Sequence, residues 1–256
     1  LPLPPLNPAL NTNVDISDVF FDKWRNLGTH ALLIGDISLD KSKENITIRF
    51  RLLDTLRSID LGGLSLETKD KKNEARTIAH RISDFILESL TDEPGFFSTR
   101  LAYVIRKKNR HLLIVSDSDG HNERPALESS QSLISLAWSP KGDQLAYVSF
   151  ETGKPTVFTH TLSTGKRNII ANYKGSNSSP TWSPNGRKLA FVLTKDGSSQ
   201  IYSADKNGKN LKRITKVRAI NTEPNYSHDG QYLYYTSDQG GSPQIYRINS
   251  SGNGYP

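Results

Sequence analysis

The groups in this chain best suited to hold a metal or move a proton are its six histidines, His30, His80, His111, His121, His160 and His228, and the run Asp117-Ser118-Asp119-Gly120. The histidines are dispersed, with no H-x-x-x-H pair, and read as structural or surface residues. Asp117 opens a segment resembling a calcium loop, and Glu128 falls at its position 12, yet position 6 is Asn122 where such a loop needs Gly for its sharp bend. The segment reads as a turn between strands. No G-x-S-x-G elbow, G-x-G-x-x-G or P-loop pattern occurs, and zero Cys excludes a disulfide scaffold, a thiolate metal site and a Cys nucleophile. The residues therefore predict no catalytic group, no metal and no cofactor.

Two polar segments suit recognition instead: Gly175-Ser176-Asn177-Ser178-Ser179-Pro180 and Ile220-Asn221-Thr222-Glu223-Pro224. Their small polar side chains can accept a partner's backbone or carboxylate, as loops on one face of a rigid scaffold often do. The same Asn, Ser and Thr residues also cap turns. The residues alone leave both readings open.

What would position these segments is a repeat. Ala137-Trp138-Ser139-Pro140-Lys141-Gly142 returns as Thr181-Trp182-Ser183-Pro184-Asn185-Gly186 and again as Asn225-Tyr226-Ser227-His228-Asp229-Gly230, each time 44 residues on. Leu101-Ala102-Tyr103, Leu145-Ala146-Tyr147, Leu189-Ala190-Phe191 and Leu233-Tyr234-Tyr235 keep that step, and so do Leu113-Ile114, Val157-Phe158, Ile201-Tyr202 and Ile245-Tyr246. A period of about 40–45 residues is that of a four-stranded propeller blade. In Ser-Pro-x-Gly, Ser fits the first position of a type I turn, Pro the second and Gly the fourth. The run after each turn, such as residues 144–150, is continuously apolar and predicts an inner strand covered on both faces. The run around Lys212-Arg213-Ile214-Thr215 is the most polar and predicts an outer strand. Residues 175–180 and 220–224 lead into the first, innermost strands, so they are expected at one mouth of the central channel.

Stepping 44 residues back from Trp138 reaches Pro94, within Thr91-Asp92-Glu93-Pro94-Gly95, so the first blade is expected to lack its first strand and the last, ending near Pro256, its fourth. Propellers close by pairing such ends, so these gaps predict part of a longer protein. The absent initiator Met leaves room for a removed leader.

Before the repeat, prolines at 2, 4, 5 and 8 predict an extended lead-in. A helix is expected after Asp15 or Ser17 as N-cap, with Val19, Phe20, Trp24 and Leu27 on one face and Gly28 at its end. Residues 31–37 predict a buried strand, 46–53 an alternating antiparallel strand, 61–66 a third strand, and 73–90 a long helix with a wide apolar face from Ala75 to Leu90. The order describes an α/β domain over 1–93, expected to lack its first strands, followed by propeller blades over 96–256. The net charge of +7 is scattered, and its one tight cluster, Arg106-Lys107-Lys108-Asn109-Arg110, reads as a solvated hairpin tip, not a nucleic-acid site. No run of 18 apolar residues predicts a membrane span.

Taken together, Arg100-Leu101-Ala102-Tyr103-Val104, Val115-Ser116-Asp117-Ser118-Asp119-Gly120, Ala137-Trp138-Ser139-Pro140, residues 145–151, Asn221-Thr222-Glu223-Pro224 and Tyr235-Thr236-Ser237-Asp238 resemble the TolB family, periplasmic propeller proteins of the Tol-Pal system. Gly35-Asp36-Ile37, residues 50–54 and Ala79-His80-Arg81-Ile82-Ser83-Asp84 extend the resemblance through the first domain. It implies a multidomain protein, α/β plus all-β, with a small α/β domain and an incomplete β-propeller of WD40-like (PD40) blades, six when intact. It further implies a non-catalytic scaffold for cell-envelope integrity and division, whose propeller mouth binds the lipoprotein Pal and is exploited by colicin translocation domains. TolA would bind an N-terminal segment outside this chain. Carried over by position, the partner-facing residues are Ser135, Ser176, Asn177, Ser178, Ser179, Asn221, Thr222 and Glu223. The chain departs from the family pattern at Leu136, where Pro is usual, and at Lys141 and Asn185, where Asp is usual. The alternative is the gating or recognition propeller of a larger hydrolase, such as a prolyl-oligopeptidase-like enzyme, which a downstream G-x-S-x-G elbow would mark.

Overall fold

A computed structural model describes residues 14–17, 19–40, 45–68 and 74–253. They divide into two compact units, one of residues 14–101 with 117–121, the other of 102–116 and 122–253.

In the first unit, β1 (Ala31–Asp40), β2 (Asn45–Asp54) and β3 (Ile59–Thr68) form an antiparallel sheet in that order, and helices α1 (Phe21–Asn26) and α2 (Glu74–Thr91) flank it in sequence. The alternation in β2 works as predicted: Phe50 and Leu52 bury with Leu64 and Leu66 of β3 against Ile78 and Phe85 of α2. Phe50 and Phe85 meet edge to face, with ring centres 5.3 Å apart. Gly63 is required there, because a Cβ at that position would collide with the Phe50 carbonyl.

Three expectations need correction. Helix α1 starts at Phe21 with no side-chain cap, while the Asp15 carboxylate accepts the Ser17 N–H at 2.8 Å in a local turn before it. No residue of α1 is buried, and Phe20 and Leu27 stand 71% and 68% exposed. The helix is tethered by polar contacts instead: Arg25 donates to the Thr55 carbonyl at 3.0 and 3.2 Å and to Ser58 Oγ at 2.8 Å. Gly28, at φ +74°, ends it as predicted. Strand β1 is not a buried central strand: among the described residues it pairs only with β2, and Ile37 is 74% exposed. The apolar face of α2 also stops short of Leu90, which lies open.

The second unit is built of four sheets: β4 (Arg100–Lys107), β5 (Arg110–Asp117) and β6 (Arg124–Ser129); β7 (Leu133–Trp138), β8 (Gln144–Ser149), β9 (Thr156–Thr161) and β10 (Arg167–Ala171); β11 (Asn177–Trp182), β12 (Lys188–Leu193), β13 (Gln200–Asp205) and β14 (Lys212–Arg213); and β15 (Asn221–Tyr226), β16 (Tyr232–Ser237) and β17 (Gln244–Asn249). Three, four, four and three strands are what the repeat predicts for incomplete blades. Its landmarks fall in equivalent places: Trp138, Trp182 and Tyr226 each end an innermost strand and pair with Leu145, Leu189 and Leu233. The turns also repeat, with Gly142, Gly186 and Gly230 donating to the carbonyls of Ser139, Ser183 and Ser227 at 2.8–2.9 Å and all three glycines at positive φ. Each Ser Oγ then accepts the N–H of Gln144, Lys188 or Tyr232 at 2.9–3.0 Å, which ties turn to strand.

In the second and third sheets the apolar runs are buried along their length because both faces of β8 and β12 meet a neighbouring sheet, whereas in the last sheet β16 alternates, with Leu233 and Tyr235 buried and Tyr234 open. Val148 and Val157 of the second sheet bury with Leu189, Phe191 and Tyr202 of the third. Ala190 and Ile201, from the opposite face of that third sheet, bury with Leu233 and Tyr235 of the fourth. Ile214, placed by sequence in a polar outer strand, is instead 1% exposed and belongs to this contact.

A polar group buried in the second sheet yields a pH dependence. Arg167 donates from Nε to the Tyr147 hydroxyl at 2.7 Å and from Nη2 to Glu151 at 2.7 Å, and its guanidinium lies 4.5 Å from the centre of the Phe158 ring. Beside it, burial and then the Arg167 charge push the His160 imidazole below its usual range, while burial pushes Tyr147 up to about 12. Because the unfolded His160 binds a proton more readily, stability is full above about pH 6.5 and is lost as pH falls from there toward the lowered folded-state value. His160→Gln should flatten the thermal-midpoint profile between neutral pH and about pH 5; an unchanged acid slope would show that His160 is not its source.

Candidate functional site

Ser135, Ser179 and Glu223 lie one repeat apart, and each adopts positive φ, at 55°, 49° and 53°. Each sits inside a register shift of its innermost strand: between Ile134 and Ala137 in β7, between Ser178 and Thr181 in β11, and between Thr222 and Asn225 in β15. These are β-bulges, which interrupt pairing and turn a side chain out of the usual alternation. A left-handed backbone at a non-glycine residue costs on the order of 1–3 kcal/mol and clusters at functional sites. Three in register, midway along the innermost strands of adjacent sheets, make those strands and the end at which they begin the candidate site.

The surrounding residues hold the bulges in place. Asn177 is fully buried: its Oδ1 accepts the Tyr173 N–H at 2.8 Å, and its Nδ2 donates to the Pro155 and Tyr173 carbonyls at 3.0 Å and to Gly175 O at 3.2 Å. Asn221, also fully buried, donates to Gln200 Oε1 at 3.2 Å, and Gln200 itself donates to Ala219 O at 2.8 Å and accepts the Thr215 hydroxyl at 2.8 Å. These two asparagines fix the loops and present no surface to a partner. The Ser176 N–H donates to Thr194 Oγ1 at 2.7 Å, and the Ile220 N–H to Asp238 Oδ1 at 2.7 Å. What remains reachable is Ser135 and Glu223, both exposed, with the half-buried Ser176, Ser178, Ser179 and Thr222. Glu223 Oε2 accepts the Thr236 hydroxyl at 3.3 Å, which leaves its other oxygen for a donor.

Since neighbouring strands are antiparallel, the turns after β8, β12 and β16 lie at this same end. In one of them Asp196 is held below the ordinary carboxylate range by the Tyr202 hydroxyl and then by Lys195, and Tyr202 is pushed up to about 12 by burial and then by Asp196. The rim thus offers fixed carboxylates and hydroxyls, groups that recognise donors and do no covalent chemistry unaided. At the opposite end, a cavity of about 550 Å³ is lined by turn residues including Pro184, Tyr226 and Asp229.

One grouping escapes the sequence reading. Asp117-Ser118-Asp119-Gly120 is a turn, as predicted, with Gly120 N–H donating to Asp117 O at 3.0 Å, and Glu128 pairs with Arg110, away from any calcium loop. His80 of α2, however, stands beside Asp117 and Asp119. No spacing signals this, because only the fold brings the helix and the turn together.

Comparison with known proteins follows the same division. The family model of the TolB beta propeller domain matches residues 87–255, and that of the TolB amino-terminal domain matches residues 3–61. The Tol-Pal system protein TolB of Aromatoleum aromaticum is 50% identical over 155 residues, 60% of this chain and 36% of its own length. That of Dechloromonas aromatica is 51% identical over 157 residues, covering 61% and 36%. The chain thus spans about 36% of the length of these curated relatives. Among solved structures, TolB from Acinetobacter baumannii superposes with a TM-score of 0.80 at 32% identity, covering 95% of this chain and 60% of that one. A putative TolB from Agrobacterium tumefaciens, at 14% identity and TM-score 0.54 over 88% of this chain and 79% of its own, shares the fold.

Proposed function

Because the chain belongs to the TolB family, whose propeller model spans residues 87–255, we propose that it serves the Tol-Pal system as a periplasmic, non-catalytic scaffold that binds the lipoprotein Pal through the bulges of its innermost strands and the loops that lead into them. The observation that carries this reading is the alignment of Ser135, Ser179 and Glu223 in one strained conformation at equivalent places in the innermost strands of three adjacent sheets. Strain retained three times over is costly unless the rim it shapes is used. The contact residues are Ser135, Ser176, Ser178, Ser179, Thr222 and Glu223, with Asn177 and Asn221 as the residues that hold them. Relatives named as components of the same system support the role, and a rim of hydroxyls and carboxylates suits a partner that brings backbone N–H groups and cations.

Titrating Pal into the chain in a calorimeter should give saturable heat. Glu223→Ala is expected to weaken binding about tenfold, equivalent to about 1.4 kcal/mol, whereas Lys141→Ala, in a turn at the opposite end, should leave affinity unchanged. Absence of heat at high concentration, or equal loss from both variants, would reject the reading.

A further inference from the structure

We propose that His80, Asp117 and Asp119 form a binding site for Zn²⁺, independent of the rim that would take Pal. The three residues belong to the first compact unit, and their ligand atoms all lie within 4.8 Å of one another. The inference turns on the His80 ring. Its Nδ1 is 2.6 Å from the Phe97 carbonyl, which can only accept, so Nδ1 carries a proton. In the neutral ring Nε2 then presents a lone pair, and 3.3 Å away it meets Asp119 Oδ2, which also can only accept. Arg76 pairs with that oxygen, and a cation bridging Nε2 and Oδ2 would in addition use the His80 lone pair.

Zinc bonded to both atoms at about 2.0–2.1 Å with a tetrahedral angle places them about 3.3–3.4 Å apart, which matches. The carboxylate of Asp117 supplies a third ligand. The second shell is also present: the carbonyl that fixes the ring of a metal-bound histidine is a recurrent feature of such sites, and here Ser118 Oγ donates to the same Phe97 oxygen at 2.7 Å. The His121 N–H donates to Asp119 Oδ1 at 3.0 Å, and Arg76 pairs with Asp119 Oδ2, occupying one lone pair and leaving another for the metal. One imidazole and two carboxylates, with no thiolate, form a ligand set suited to zinc and its first-row neighbours.

Titrating ZnCl₂ into the metal-free chain should give one-site binding in the micromolar range or tighter, and CoCl₂ should give the intense visible bands of low-coordinate cobalt. His80→Gln and Asp119→Asn should each weaken zinc binding about tenfold or more, while His228→Gln should bind as the parent does. Should His80→Gln fail to fold, Asp119→Asn carries the test, since its amide oxygen still accepts the His121 N–H. The proposal is overturned if zinc gives no heat at micromolar concentrations, if cobalt keeps the spectrum of its hydrated ion, or if folded variants bind as tightly as the parent.

Discussion

Phe191→Ala is expected to destabilise the second unit by about 3–5 kcal/mol, the range for removing a fully buried aromatic ring from a close-packed core. Phe191 has no exposed surface, pairs with Tyr202 across β12 and β13, and packs with Trp182, Leu189 and Val148 between the second and third sheets. The second and third sheets bury their inner strands against each other, and in such repeats much of the stability comes from the neighbouring unit. A cavity at this joint therefore weakens two sheets together. Urea unfolding should show a lower midpoint with an unchanged slope, and Ile134→Ala, at a side chain 45% exposed, should move it far less. A loss from Phe191→Ala below about 1 kcal/mol would mean that the sheets do not share this core.

Asp84→Ala should cost the first unit about 3 kcal/mol, because it strips a buried carboxylate that accepts two backbone N–H groups. Asp84, on α2, accepts from Phe97 at 2.6 Å and from Ser98 at 3.0 Å and is 8% exposed. Gly95 comes so close that a Cβ there would collide with Asp84, so the segment is held against the helix at this point. Without the carboxylate both N–H groups lose their partner, and the turn after α2 should fray. Asp84→Asn, which keeps one acceptor oxygen, should lose clearly less. Thermal unfolding of the three proteins checks the order; equal midpoints would show that solvent replaces Asp84 without cost.

Much of this architecture is legible in the residues because packing repeats. Leu145, Leu189 and Leu233 stand in one structural position and meet one environment, so the same side chain recurs at the same step. Turn chemistry is equally visible, since Ser-Pro-x-Gly states its geometry outright. The strained positions are another matter: nothing in the identities of Ser135, Ser179 or Glu223 announces positive φ, which neighbouring pairing imposes on them. Asn177 and Asn221 look like contact residues by type, yet both are buried, the amide of Asn177 bonded to backbone carbonyls and that of Asn221 to Gln200 and the Ala219 carbonyl. At the start of the chain, Asp15 and Ser17 have the chemistry of helix caps, but Asp15 bends the chain locally and the helix waits until Phe21. The His80 cluster is invisible for a simpler reason: its members are joined by tertiary structure alone.

Amide hydrogen exchange of the chain with and without saturating Pal tests the central claim most directly. Slowed exchange should be confined to residues 134–137, 176–181 and 221–225 and the neighbouring turns at 150–155, 194–199 and 238–243. Protection at the turns 139–142, 183–186 and 227–230 in their place would put the partner on the other end of the sheets and contradict the account.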